Sequence, residues 1–171
     1  MKNQTLGPKD LMTYMQENDI PGEILHLEVP TPTVEAAAHA VGTKPDQIVK
    51  SILFLVADQP MLAIACGKAR VDRRALAVVY GVGRKKVKLA APEEVKQRTG
   101  FEVGAMPPFG HRLPLPTWLD KRVLEHSLVY AGGGSENALI QLTPMDILEA
   151  TQAQVIDLLS PPDLKANKEA S

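Results

Sequence analysis

"DQIVKSILFLVADQPMLAIAC" spans Asp46–Cys66 and reads as two apolar strands joined by a tight turn. Side chains alternate across a strand, so Ile48, Lys50, Ile52, Phe54 and Val56 share one face while Val49, Ser51, Leu53, Leu55 and Ala57 share the other. Both faces are largely apolar, as in a strand covered on each side. "ADQP" turns the first run into "MLAIAC", giving an antiparallel hairpin. Lys50 is the anomaly. An ammonium on an apolar face either reaches water along its own stem or is held there for a purpose.

Upstream of the hairpin, Pro8 to Asn18 places Leu11, Met12 and Met15 on one helical face, and Pro21-Gly22 ends that helix. A strand from Ile24 to Val29 follows. Thr33 caps a short helix whose Val34, Ala37, Ala38 and Val41 face the core, with Gly42 as its stop. Downstream, Asp72 caps a helix that ends at Gly81, and "KKVKLA" is a short strand. Pro92 with Glu93 and Glu94 opens another helix, closed by Gly100. After a proline-rich loop, "TWLD", "SLVYA" and "ALIQL" are strands, and Thr143 with Pro144 and Asp146 starts a last helix through about Ala150. The tail from Pro161 is expected to be loose. Several strands are joined by short turns rather than helical crossovers. The expected fold class is therefore α/β (α+β), a mixed, curved and partly barrel-like sheet surrounded by helices, in one domain across residues 1–171.

The chain's longest apolar runs, "SILFLVA" and "MLAIAC", are far shorter than a membrane span, and "MKNQTLGPKDLMTYMQENDI" lacks the apolar centre of a signal peptide. A cytoplasmic location with no membrane partner is the expectation. Cys66 is the one cysteine, which excludes an internal disulfide and a cysteine-built metal site; in "MLAIACG" it reads as a small buried hydrophobe. His26, His39, His111 and His126 fall singly and never at metal-ligand spacing, so no metal is expected. "GVG" at Gly81 to Gly83 does not complete a dinucleotide fingerprint, no Walker-type loop is present, and no Ser, His and Asp triplet assembles. No cofactor is expected.

A net charge of −1 hides an uneven distribution. Between Gly67 and Leu89 the chain carries Lys68, Arg70, Arg73, Arg74, Arg84, Lys85, Lys86 and Lys88 against the single acid Asp72. The rest holds 11 basic and 19 acidic residues. The basic strip is either a solvated face or a surface for a polyanion. Two loops are also unusual. "GFEVGAMPPFGHRLP" (Gly100–Pro114) has four glycines or prolines within Gly104 to Gly110, and its amides at Gly104, Ala105 and Met106 are placed to meet a carbonyl or an oxyanion, unless the loop is merely a rigid corner. "YAGGGSENAL" sets three glycines after a strand, suiting a hairpin turn or a close approach to a ligand.

The order "DQIVKSILF", "GKARVDRRALAVVYGVGRKKVKLAAPEEV", "TGFEVGAMPPFGHRLPLPTWLD" and "SLVYAGGGSENALIQLTPMDIL" resembles the YbaK-like aminoacyl-tRNA deacylases, freestanding relatives of the editing insertion domain of bacterial prolyl-tRNA synthetase. The resemblance runs from about Leu11 to Leu158, and its most specific elements are the lysine in the strand and the Gly-x-x-x-Pro loop, Gly104 to Pro108. It implies hydrolysis of the ester joining a wrong amino acid to the 3′ end of tRNA, without metal or protein nucleophile. Lys50 would contact the phosphate region of the terminal adenosine. Gly104, Ala105, Met106 and Pro108 would form the loop that orients the carbonyl and stabilises the tetrahedral intermediate, while a ribose hydroxyl of the substrate helps to activate water. Ser51, which follows the lysine where relatives vary, is a substrate-binding candidate, as are Asp120, Gly132 and Gly133, which sit where the family has matching residues and for which a structural role is equally open. Arg70, Arg73, Arg74, Arg84, Lys85 and Lys86 would meet tRNA, and prolyl-tRNA synthetase is a candidate partner. Members divide among Cys, Ala, Ser and Thr as cargo, with Cys- or Ala-tRNA(Pro) favoured here. A catalytically silent tRNA-binding module and a hydrolase of another small ester or amide are the competing readings.

Overall fold

The computed structural model describes residues 4–159, so the tail from Pro161 lies outside the described residues. In chain order the elements are α1 (Pro8–Glu17), β1 (Glu23–His26), α2 (Val34–Val41), β2 (Val49–Val56), β3 (Gln59–Cys66), α3 (Arg73–Tyr80), β4 (Val87–Leu89), α4 (Pro92–Thr99), β5 (Thr117–Asp120), β6 (Val129–Gly132), β7 (Ala138–Leu142), α5 (Pro144–Thr151) and β8 (Gln154–Ile156). They build two sheets, β1-β7-β6 and β4-β2-β3-β5-β8. The first sheet is antiparallel throughout. The second is mixed, because β5 runs parallel to both β3 and β8. This is the expected mixed α/β architecture, with two sheets carrying the strands.

The hairpin forms as its sequence dictates. Ala57 (φ 48°) and Asp58 (φ 67°) both adopt left-handed backbone, as a two-residue turn matched to strand twist requires, and this sets Val56 opposite Gln59. The two faces of β2 then part company. Val49 and Leu53 enter the main core with Leu62, Ile64, Phe101 and Ile140, while Phe54 and Val56 pack with Leu76 and Ala77 of α3. Ile48 joins Ala37 and Ala38 of α2 and Leu139 of β7 in a third, small cluster. Each large aliphatic side chain so buried contributes about 1.5–3 kcal/mol.

Local signals fix the helices that shape the site. The Thr33 hydroxyl accepts the Ala36 N–H at 3.0 Å and Gly42 closes α2 in the left-handed conformation. Asp72 accepts the Arg74 N–H at 2.9 Å at the start of α3. Boundaries differ from the sequence reading where regular spacing is short. β1 stops at His26 rather than Val29, Arg84–Lys86 form a 3₁₀ turn before β4, and β8 has three residues, too few to show a period.

Candidate functional site

Lys50 sits where the cover over its strand face is interrupted. Ile48, two residues before it, lies under α2, and Phe54, four residues after it, lies under α3. The side chain between them is half-buried and its ammonium donates to the Ala69 carbonyl at 2.5 Å. That carbonyl arrives because Gly67, at φ 78°, reverses the chain after β3 and donates its N–H to the Ile48 carbonyl at 3.0 Å. Burial is the main cause that pulls the Lys50 ammonium below the usual lysine value, and the charge of Arg70 adds in the same direction. An anion placed beside it would restore the balance.

The two sheets touch at a parallel bridge between Ile48 and Tyr130. Next to that bridge lies a cavity of about 220 Å³, lined by Lys50 and Ser51 from β2, Gly132 from β6, and Gly104 and Met106 from the loop after α4. Five residues singled out in the sequence thus meet around one space. Its remaining walls include Thr31, Thr33, Val34 and Ala37 at the start of α2, together with Leu139. Val34 and Ala37 read as core-facing from their spacing, and they do pack in the small cluster with Ile48 and Leu139 while also bordering this cavity. Apolar residues around a small void have the same helical period as residues in a filled core. The Ser51 hydroxyl is buried with no hydrogen-bond partner among the described residues, which leaves it open to a polar atom.

Of the loop's three candidate amides, one is already engaged within the loop. The Ala105 N–H already donates to the Glu102 carbonyl at 3.1 Å, whereas those of Gly104 and Met106 have no protein acceptor among the described residues. The Ala105 carbonyl in turn accepts the Gly134 N–H at 2.9 Å, tying this loop to the glycine turn. Gly104 takes φ 88° with open space around its Cα, so glycine is required there for backbone conformation. Gly132 is required for packing: a Cβ there would lie 2.9 Å from the Met106 carbonyl carbon and 3.0 Å from the Ala105 oxygen.

Ala105 does not line this cavity, and three further candidates, Asp120, Gly133 and Pro108, stand apart from it. Asp120 is fully buried at the end of β5, where its carboxylate accepts from the Leu158 N–H at 2.8 Å, the Arg122 N–H at 3.1 Å and the Arg122 guanidinium at 2.9 Å. Those bonds hold β8 and the following turn. Gly133 donates to the Ala138 carbonyl at 2.9 Å within the β6–β7 turn. Pro108 borders a different cavity of about 310 Å³, beside Tyr14, Phe109 and His111.

On the other side of Lys50 is a larger groove of about 700 Å³, lined by Arg70, Arg73, Arg74 and Arg84. Asp72 is the one acid on its wall, and Arg74 holds that carboxylate at 3.2 Å. Lys85 and Lys86 are exposed on the adjoining 3₁₀ turn without lining the groove. Lys50 borders both spaces. Among the described residues no three His, Cys, Asp or Glu side chains gather as a metal-binding set, and no helix is long and apolar enough to cross a membrane. Cys66 is buried, and burial first, then the Asp120 charge, pushes its thiol up to about 11.

A family model described as the aminoacyl-tRNA editing domain matches residues 28–150. The uncharacterized protein YwhH of Bacillus subtilis is 30% identical over 148 residues, which cover 86% of this chain and 92% of that protein. EbsC of Enterococcus faecalis, a candidate Cys-tRNA(Pro)/Cys-tRNA(Cys) deacylase, is 25% identical over 127 residues, 74% of this chain and 76% of its own. A crystal structure of a candidate trans-editing enzyme for prolyl-tRNA synthetase superposes with a TM-score of 0.84 at 35% identity, covering 90% of this chain and 97% of that one.

Proposed function

The chain belongs to the aminoacyl-tRNA editing domain family, and from that premise we propose that it hydrolyses the ester of mischarged aminoacyl-tRNA, as a trans-editing deacylase. The observation that carries this reading is the juxtaposition at Lys50: a cavity of about 220 Å³ with two unpartnered amides on one side, and an arginine-lined groove on the other. The volume and the apolar wall of Val34, Ala37 and Leu139 suit a small amino-acid side chain, whereas a polynucleotide needs the groove. EbsC's own description makes Cys-tRNA(Pro) the first substrate to try, with Ala-tRNA(Pro) next.

In this mechanism the Lys50 ammonium binds a phosphate near the terminal adenosine and sets the ester carbonyl in the cavity. Water, deprotonated with the help of a ribose hydroxyl of the substrate, attacks the carbonyl carbon. The Gly104 and Met106 N–H groups donate to the oxyanion that forms, a stabilisation typically worth about 10²-fold or more per donor. Collapse of the tetrahedral intermediate breaks the carbon–oxygen bond to the ribose, whose oxygen takes up the proton. The products are the free amino acid and a tRNA with its terminal hydroxyl restored. We place this reaction in the cytoplasm, with prolyl-tRNA synthetase as the partner whose errors supply the substrate.

Deacylation of purified Cys-, Ala-, Ser- and Pro-tRNA(Pro) tests the proposal. Hydrolysis of one or more of the mischarged species with Pro-tRNA(Pro) spared supports it. Binding of tRNA without turnover would make the chain a silent tRNA-binding module, and turnover of simple esters regardless of tRNA would make it another kind of hydrolase.

A further inference from the structure

His111 lines no part of the Lys50 cavity, yet its side chain holds the loop that does. Its Nε2 lies 2.8 Å from the Pro107 carbonyl oxygen. A carbonyl can only accept, so the proton is on Nε2 and the imidazole donates. Burial holds the ring below its usual value, so at neutral pH it is uncharged and this is its one N–H. On the other side of Met106 the Gly134 N–H donates to the Ala105 carbonyl at 2.9 Å. The carbonyls of the residues flanking Met106 are thus each held by a donor from outside the loop.

Peptide geometry turns those two bonds into an aim for one amide. The Ala105 carbonyl and the Met106 N–H share a planar unit and point in opposite directions, so fixing the first directs the second. Proline locks φ at Pro107. Between the two held carbonyls only the Met106 φ and ψ and the Pro107 ψ remain soft, and a chain gripped at both ends has little freedom in them. The grips are themselves rigid. A Cβ on Gly134 would lie 2.9 Å from the Gly7 carbonyl carbon and from the Pro8 nitrogen, so that turn is wedged against the start of α1. The amides after His111 bond back to the end of α4, Arg112 to the Thr99 carbonyl at 2.8 Å and Leu113 to that of Arg98 at 3.2 Å. The imidazole also meets the buried Phe101 ring edge-on, with centroids 6.3 Å apart.

We propose that His111 is a positioning residue for deacylation, which together with Gly134 holds the Met106 N–H at the place where the oxyanion forms. The inference rests on the deacylase reading for what that amide meets. His111 touches no reacting atom and acts through the Pro107 carbonyl. Without its bond, the peptide plane that carries the Met106 N–H is left to pivot about the single contact with Gly134.

The test compares His111→Phe, which keeps a ring against Phe101 but has no donor, with His111→Gln, whose Nε2 stands as many bonds from the backbone as the imidazole Nε2 and donates. Single-turnover deacylation over a range of protein concentrations separates the maximal rate from the concentration that gives half of it. The Met106 amide is followed in ¹H–¹⁵N NMR spectra of the free proteins. His111→Phe is expected to lower the maximal rate about tenfold, less than the 10²-fold of a misplacement of about 1 Å, and to broaden the Met106 signal. The half-rate concentration should move less than about twofold, because an interaction made only in the transition state is what weakens. His111→Gln should bring both readouts back to near the wild type. A folded His111→Phe protein with the wild-type rate or an unchanged Met106 signal would overturn the proposal, and so would equal losses in the two variants, the mark of a packing role. His111→Leu repeats the comparison with a smaller side chain should phenylalanine prove too large, and unfolding of both apolar variants would overturn it too, by making the imidazole part of the core. If the wild type deacylates none of the charged tRNAs, the deacylase reading falls, and the Met106 signal decides alone whether His111 holds the loop.

Discussion

Gly132→Ala adds one methyl group at the place where strand β6 passes closest to the Gly104–Met106 loop. The new Cβ would lie 2.9 Å from the Met106 carbonyl carbon, and ordinary contact begins near 3.4 Å, so the loop must retreat by about half an ångström at that carbon and further at the oxygen. Both neighbours are backbone, so no side chain can swing aside. Overpacking of this kind costs about 1–3 kcal/mol of stability. The retreat also moves the two free amides away from the position of the oxyanion. Since a misplacement of about 1 Å can cost 10²-fold in rate, a loss of between about 10- and 100-fold in single-turnover deacylation is expected, or ~1.4–2.7 kcal/mol of barrier. The assay is single-turnover hydrolysis of a labelled mischarged tRNA, with RNA affinity measured in parallel. Affinity should hold, because the groove lies on the other side of Lys50. Full turnover in a folded Gly132→Ala protein would refute the assignment of this loop as the oxyanion-binding wall.

Gly104→Ala meets no atom and should cost only the strain of a left-handed alanine, about 1 kcal/mol in thermal unfolding, so a smaller loss of turnover than at Gly132 is expected. The lowered Lys50 value means that its ammonium is lost at lower pH than that of a free lysine. RNA affinity should therefore be flat below that value and fall as pH rises through it, while Lys50→Arg, charged throughout, shows no alkaline fall. Burial of His111 holds its imidazole below the usual 6.5 in the folded chain. The unfolded chain then takes up the proton first, so stability should decline as pH drops below 6.5, by at most about 1.4 kcal/mol per pH unit, and His111→Gln should flatten that limb in pH-dependent melting curves. Cys66, with its thiol near 11, should resist alkylation at neutral pH until the protein is unfolded by denaturant, as mass spectrometry would show.

Lys50 was legible because a strand has a period of two and one ammonium breaks it. The hairpin, the Thr33, Asp72 and Thr143 caps and the glycine stops were legible for the same reason, since each is a local rule that the local sequence obeys. Other features depend on what meets at a distance. β8 has three residues and pairs in parallel with β5, a partner chosen by topology rather than by any pattern within "QVI". The availability of a backbone donor is likewise invisible in sequence: Ala105 loses its N–H to Glu102 through the shape of one turn, while its neighbours on either side keep theirs free. The resemblance left Asp120 equally open to a substrate-binding and a structural role. The structure engages its oxygens with Arg122 and the Leu158 amide, a network that fastens the far edge of the five-stranded sheet. The family pattern named the glycines at the end of β6, but only packing separates Gly132, pressed against the Met106 backbone, from Gly133, which turns the hairpin.

The claim that deacylation occurs at the Lys50 cavity is tested most directly by single-turnover hydrolysis of Cys- and Ala-tRNA(Pro) with the wild-type protein and Lys50→Ala, alongside their melting curves. The variant loses one partly solvated ammonium bond to the Ala69 carbonyl, so its stability should fall by no more than about 1 kcal/mol. The expected result is a folded Lys50→Ala protein whose hydrolysis of a tRNA cleaved by the wild type drops at least about 10²-fold. Hydrolysis at the wild-type rate by that folded variant would contradict the account and move the chemistry away from this cavity.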